Sequence, residues 1–159
     1  MTECRTCELL ARRDAGDAPV WDSIVRSRAW DVVHCDSTAI LGWIVLVVRR
    51  HVPAVAELTD DEAAALGPLV RDVSRALHDL LHCQKTYVAQ FAESTVHRHV
   101  HVHVVPKDAC LPEQYLGPGV FQLLGVPEEE RVPEQEMNQL ATRLRTLLSG
   151  YSDEQTSLG

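Results

Sequence analysis

Between Val96 and Val105 the chain reads VHRHVHVHVV, and no other stretch restricts the fold as strongly. From His99 to Val104 histidine and valine alternate, and His97 keeps the same parity. A period of two is the period of a β-strand, whose successive side chains point to opposite faces. Residues 96–105 are therefore predicted as a strand, ended by Pro106. His97, His99, His101 and His103 fall on one face, with neighbours roughly 6.6–7 Å apart. Val100, Val102 and Val104 fall on the other face and pack inward. A slip of one residue would bury imidazoles and expose valines, so the core fixes the register of the histidine row.

The remaining pattern supplies partners for that strand. Trp30–His34 is rich in β-formers, Ile40–Val48 (ILGWIVLVV) reads as a buried strand, and Thr86–Phe91 reads as another. Thr59 and Glu62 have capping-box spacing, and the apolar positions that follow recur at helical intervals from Leu66 to Leu81. Pro68 within that helix is expected to bend the axis or break an early turn. A second amphipathic helix is expected over 134–149, through Met137, Leu140, Leu144 and Leu148. Residues 1–20 are polar, with a CxxC and a turn-rich break at Ala15–Pro19. Residues 107–133 read as an irregular insert and 151–159 as a loose tail. The fold class is α+β: an antiparallel sheet of about five strands, one main helix packed on it and a C-terminal helix, in a single domain over 1–150. The 159 residues, 45% hydrophobic and 24% charged, suit one globular core.

Several function classes are disfavoured. No apolar run reaches the roughly 18 residues that span a bilayer. The first residues carry no hydrophobic signal region, so a cytoplasmic location is expected, with no membrane partner. A net charge of −8 argues against broad nucleic-acid binding, though not against a small nucleotide held in a local site. Five cysteines, an odd number, are poor material for a disulfide framework.

Imidazole can act as base, nucleophile, hydrogen-bond donor or metal ligand near neutral pH. Neighbours spaced by two on a strand lie too far apart to close around one tetrahedral metal, but they can line up along a phosphate chain. A central imidazole could then attack phosphorus while a flanking imidazolium stabilises charge. An isolated strand histidine is usually a surface or core residue, which is the default reading for His97. Three at this spacing, with valine between them, are not incidental.

The run His99-Val-His101-Val-His103-Val-Val resembles the signature of the histidine triad (HIT) family of nucleotide hydrolases and transferases. The order of ILGWIVLVVRRH, the capped helix, TYVAQF and HVHVHVVPK is also similar. The resemblance covers residues 28–107 well, residues 1–27 less so, and hardly anything after 107. It implies that His101 is the nucleophile on an α-phosphate, forming a nucleotidyl-histidine that water resolves. It implies that His103 hydrogen-bonds the phosphate or leaving group. Transferase and phosphorylase branches carry Gln at that third position, so His103 favours hydrolysis.

Asp36 stands near the position that usually meets the ribose hydroxyls. Gln90 and Thr95 complete the expected substrate-binding set, Thr95 standing where many members carry a phosphate-reaching Gln. Gly42-Trp43 replaces the usual Gly-His pair, which removes one phosphate-facing histidine. The implied activity is release of a nucleoside monophosphate from dinucleoside polyphosphates, phosphoramidates or related nucleotidyl conjugates, by a homodimer whose sheets join across the main helices. The alternative is a nucleotide-binding protein of the same type with weak or no turnover.

Cys4 and Cys7 alone are compatible with a metal knuckle, a redox pair or chance. Structural zinc takes four N or S ligands in a tetrahedron, and no second CxxC exists. His51 and His99 are the candidates for the remaining places. Several HIT branches have a similar layout, in which an N-terminal CxxC, the histidine of an (R/K)RH segment and the first triad histidine bind one zinc. All four residues are present here. In that case His99 is an anchor rather than a catalytic group. The competing reading is a mobile CxxC tail with His51 at the surface. Arg49 and Arg50 read as solvated charges at the end of a strand.

Overall fold

The computed structural model describes residues 4–152. Its sheet comprises β1 (Val25–Arg26), β2 (Trp30–His34), β3 (Ile44–Val48), β4 (Lys85–Ala89) and β5 (His101–Lys107). Their order is β1-β2-β3-β5-β4, with every pair antiparallel. On one face Val32, Ile44, Leu46, Val102 and Val104 meet Leu69, Val73 and Leu77 of α2 (Asp60–Leu81). Leu140 and Leu144 of α3 (Glu134–Leu147) complete that layer. On the other face Val33, Trp43, Val45, Val47 and Val105 meet Val120 and Leu10 of α1 (Arg5–Asp14). Covering both faces buries β2 and β3 from end to end, which is why residues 44–48 are apolar throughout rather than alternating.

The capping box forms as expected: the Glu62 N–H donates to Thr59 Oγ1, and the Thr59 N–H donates to the Glu62 carboxylate. Helix α2 runs through Pro68 without interruption. Both Pro68 and Ala64, whose carbonyl loses its donor, are exposed, so water can satisfy that carbonyl. Arg49 is half-buried rather than solvated, whereas Arg50 is exposed as expected, and both have carboxylate partners. Arg49 bridges Asp31 at 2.9 Å and Asp14 at 2.8 Å, and Arg50 pairs with Glu62 at 2.8 Å.

Three segments depart from the pattern. The histidine strand begins at His101, not Val96, because residues 94–99 turn away from the ladder. There the His97 N–H donates to the Ser94 carbonyl, and the His99 N–H donates to the His97 carbonyl at 2.7 Å. Pro106 lies inside β5, past the last pair with β3, Ile44–Val104, so its missing N–H costs no bond to that neighbour. The strand expected over Ile40–Val48 shrinks to 44–48. Gly42 turns the chain with φ of 87°, and a Cβ there would lie 2.5 Å from Leu81 Cδ1.

The polar N-terminal segment contains α1, whose buried face is Thr6, Leu10 and Arg13. That spacing is helical, but two of the three residues are polar. Residues 107–133 wind through short 3-10 turns and dock on the β2–β3 connection, where the Gly125 N–H donates to the Ser37 carbonyl at 2.7 Å. Tyr151, expected to belong to a loose tail, is tied down instead, donating its hydroxyl to Asp72 at 2.6 Å. Residues 153–159 lie outside the described residues. No helix among the described residues is long and apolar enough to cross a membrane.

Candidate active site and metal cluster

Strand β5 lies between β3 and the edge strand β4, with its histidine face turned away from α2. That face opens into a cavity of about 540 Å³. Val33, Val45 and Val47 form an apolar floor, and the 34–37 turn forms one wall. Arg5, Thr6, Leu9 and Arg12 of α1 form another, and Phe121 and Leu124 close a side. The imidazoles of His97, His101 and His103 all line it.

The two C-terminal histidines are held in different tautomers. His101 Nδ1 lies 2.7 Å from the His99 carbonyl oxygen. A carbonyl can only accept, so Nδ1 carries the proton and Nε2 carries the lone pair. At His103 the roles reverse. Trp43 Nε1–H donates to His103 Nδ1 at 3.0 Å, so the His103 proton sits on Nε2. The two rings meet edge to face with centroids 5.0 Å apart. Burial, and then the neighbouring His101, push the His103 pKa down to about 4. His103 is thus a neutral N–H donor and not the flanking imidazolium expected from the sequence. Trp43, standing where the family pattern has a phosphate-facing histidine, is fully buried and orients His103 instead.

Two further residues escaped the sequence reading. Phe121, from the irregular segment, meets the rings of His103 and Trp43 edge to face, each at 5.3 Å. Its only sequence signal was an aromatic residue in a turn-rich stretch. His34 is buried. It donates through Nδ1 to the Cys35 carbonyl at 2.6 Å and accepts the Gly42 N–H on Nε2 at 2.8 Å. Burial lowers its pKa to about 4, so it stays neutral while it braces the turn that carries Asp36.

Asp36 lines the cavity. Gln90 and Thr95 are not among its lining residues, and Thr95 is exposed.

Cys4, Cys7, His51 and His99 converge beside this cavity, with one ligand atom from each lying within 4.8 Å of all the others. Cys7 Sγ lies 3.3 Å from His51 Nδ1 and 3.5 Å from His99 Nδ1, and Cys4 Sγ lies 3.8 Å from His99 Nδ1. Sulfur and nitrogen on one tetrahedral zinc sit about 3.6 Å apart, from bonds of roughly 2.3 and 2.0–2.1 Å. The donor set therefore fits a metal ion. His99 is also in the right tautomer, because its Nε2–H donates to the Val48 carbonyl at 2.6 Å and leaves Nδ1 free. Burial and the adjacent Cys4 raise the Cys7 thiol to about 11, so a bound cation would be needed to hold that sulfur as thiolate near neutral pH.

No family model matches the chain. Galactose-1-phosphate uridylyltransferase of Cryptococcus neoformans is 28% identical over 116 residues, 66% of this chain. The chain spans 29% of the length of the curated relatives it matches. Among solved structures, a zinc-bound histidine triad family protein from Mycobacterium smegmatis superposes with a TM-score of 0.63 at 20% identity, covering 92% of this chain and 96% of that one. A hypothetical histidine triad nucleotide-binding protein from Sulfolobus tokodaii gives 0.66 at 14% identity, covering 96% and 100%.

Proposed function

We propose that this chain, a protein of the histidine triad fold carrying that family's HVHVHVV run, is a nucleotide hydrolase that works through a nucleotidyl-histidine. The observation that carries this is the pair of opposite tautomers, with a lone pair on His101 Nε2 beside a proton on His103 Nε2. His101 Nε2 attacks the α-phosphorus, and the bond from phosphorus to the leaving oxygen or nitrogen breaks. His103 Nε2–H donates to a phosphate oxygen, where negative charge builds up. Water then attacks phosphorus, the P–N bond to His101 breaks, and a nucleoside monophosphate departs. Water supplies the proton that the leaving group finally carries.

Asp36 faces the ribose hydroxyls, and Val33, Val45 and Val47 receive the base. Substrates are dinucleoside polyphosphates, phosphoramidates or related nucleotidyl conjugates. A histidine rather than Gln at position 103 favours water as the acceptor. Gln90 and Thr95 lie off the cavity wall and have no part in this reading.

The Cys4–Cys7–His51–His99 cluster holds zinc, which neutralises the two thiolates and fixes the His99 backbone whose carbonyl orients His101. The protein works as a homodimer. Its outermost strand β4 carries Val88 on the helix side of the sheet, opposite Val104, at 51% exposure.

The test is nucleoside monophosphate release by wild type and His101→Ala from diadenosine polyphosphates, an adenosine phosphoramidate and adenylylated lysine. Turnover should be lost in the variant, with fold and metal content unchanged. Wild-type turnover in His101→Ala would overturn the mechanism. Tight nucleotide binding without release by wild type would favour a binding protein instead.

A further inference from the structure

His97 has no part in the mechanism above, yet it lines the same cavity as His101 and His103. It does not belong to their strand. The turn closed by the His97 N–H on the Ser94 carbonyl brings it in from the side, within electrostatic reach of His101 and Asp36. Helix α1 holds that turn in two places. The Arg5 N–H donates to the Val96 carbonyl at 2.9 Å, and Thr6 Oγ1 lies 3.0 Å from His97 Nδ1. Thr6 is 5% exposed, so this bond is shielded from solvent and sets the ring's direction.

We propose that His97 is a substrate-binding residue that donates its Nε2–H to the phosphate chain of a bound nucleotide, and that Thr6 positions it. The proposal rests on the nucleotide reading given above. Its chemistry follows from what each partner can do. Phosphate oxygens only accept, so they select the imidazole with the proton on Nε2. The Thr6 hydroxyl rotates freely and then turns its own proton to Nδ1. The cavity gains a donor from outside β5, while Thr95 is not among its lining residues. Thr6 lies between the two cysteines of the knuckle, so the segment that carries the cluster also shapes the phosphate site.

The experiment is calorimetric binding of AMP, GMP, CMP and UMP, each against its own nucleoside, to the full chain. The variants are His97→Ala, His97→Gln, Thr6→Val and Thr6→Ser. Losing a hydrogen bond to a charged group should weaken monophosphate binding by about tenfold or more in His97→Ala, with nucleoside binding unchanged. His97→Gln keeps an N–H donor and should recover most of the loss. Thr6→Val should reproduce it and Thr6→Ser should not. Equal weakening of nucleotide and nucleoside would make the role structural and overturn the proposal. So would unchanged monophosphate binding in His97→Ala. If wild type binds none of the four monophosphates, the nucleotide reading itself falls, an outcome distinct from a failure of His97 alone.

Discussion

A neutral imidazole offers a lone pair or a proton at Nε2 according to what Nδ1 is given, so the partners of Nδ1 decide its chemistry. His101 is given a carbonyl and His103 an indole N–H. Trp43→Phe keeps most of the packing against Phe121 but removes that N–H. His103 can then place its proton on either nitrogen. The expected result is a fall in kcat of about tenfold to a hundredfold, with a stability loss of about 1–2 kcal/mol from the unpaired buried nitrogen, read by steady-state kinetics and urea melts. If kcat were unchanged, His103 would not need the tautomer assigned to it.

The same residues set a pH dependence. His34 and His103 have folded pKa values of about 4, below the usual 6.5. At pH 5 the unfolded chain binds protons that the folded protein refuses. Stability from this source is complete above pH 6.5 and is lost as pH falls towards 4, by at most about 3 kcal/mol for each group. His34→Gln removes one of these groups. Its loss of stability between pH 7 and pH 4.5 should be shallower than that of wild type, and an equally steep loss would mean His34 does not contribute.

Elements differ in how openly the sequence declared them. Helix α2 announced itself through its capping box and a full apolar stripe, and α3 through its stripe alone. Helix α1 did not, because its buried face spends two of three positions on Thr6 and Arg13. Those side chains are buried for what they bond to. Thr6 reaches His97, 91 residues on, and Arg13 pairs with Asp22 outside the helix at 2.7 Å, and no apolar period announces either contact. The strict alternation of the histidine run was legible, but its first half was bent out of the sheet by contacts with α1. With little apolar area of its own, α1 depends on these polar contacts and, in the zinc reading proposed above, on the Cys4–Cys7–His51–His99 cluster. Cys4→Ser and His51→Ala should therefore lose bound metal and melt several degrees lower, whereas His101→Ala should keep both metal and melting temperature. Metal content by elemental analysis, beside thermal melts, separates the two classes. Unchanged melting in the cysteine variant would show that the other contacts of α1 hold it without the cluster.

At the scale of the molecule, the sheet divides its labour by face. The helix side carries the apolar stripes that made the α+β class readable from periodicity. The other side carries the chemistry, and its cover comes from two segments a hundred residues apart, α1 and residues 107–133. Neither has an apolar period, so the candidate histidines could be read from sequence while the shape of their cavity could not. The same division bears on assembly. An edge strand leaves unpaired backbone groups and is usually blunted or covered. Here β4 is the last strand of the sheet, and Val88 stands on its helix side half-exposed, although it lies opposite the fully buried Val104. A second copy packed across α2 would cover it. Wild type should sediment as a dimer, and Val88→Lys should sediment as a monomer, because a desolvated ammonium facing its own symmetry mate cannot find a partner. The variant should keep its α-helical content, since Val88 is already exposed in one chain. A monomeric wild type would remove the dimer from the proposal and leave the cavity described above as the site.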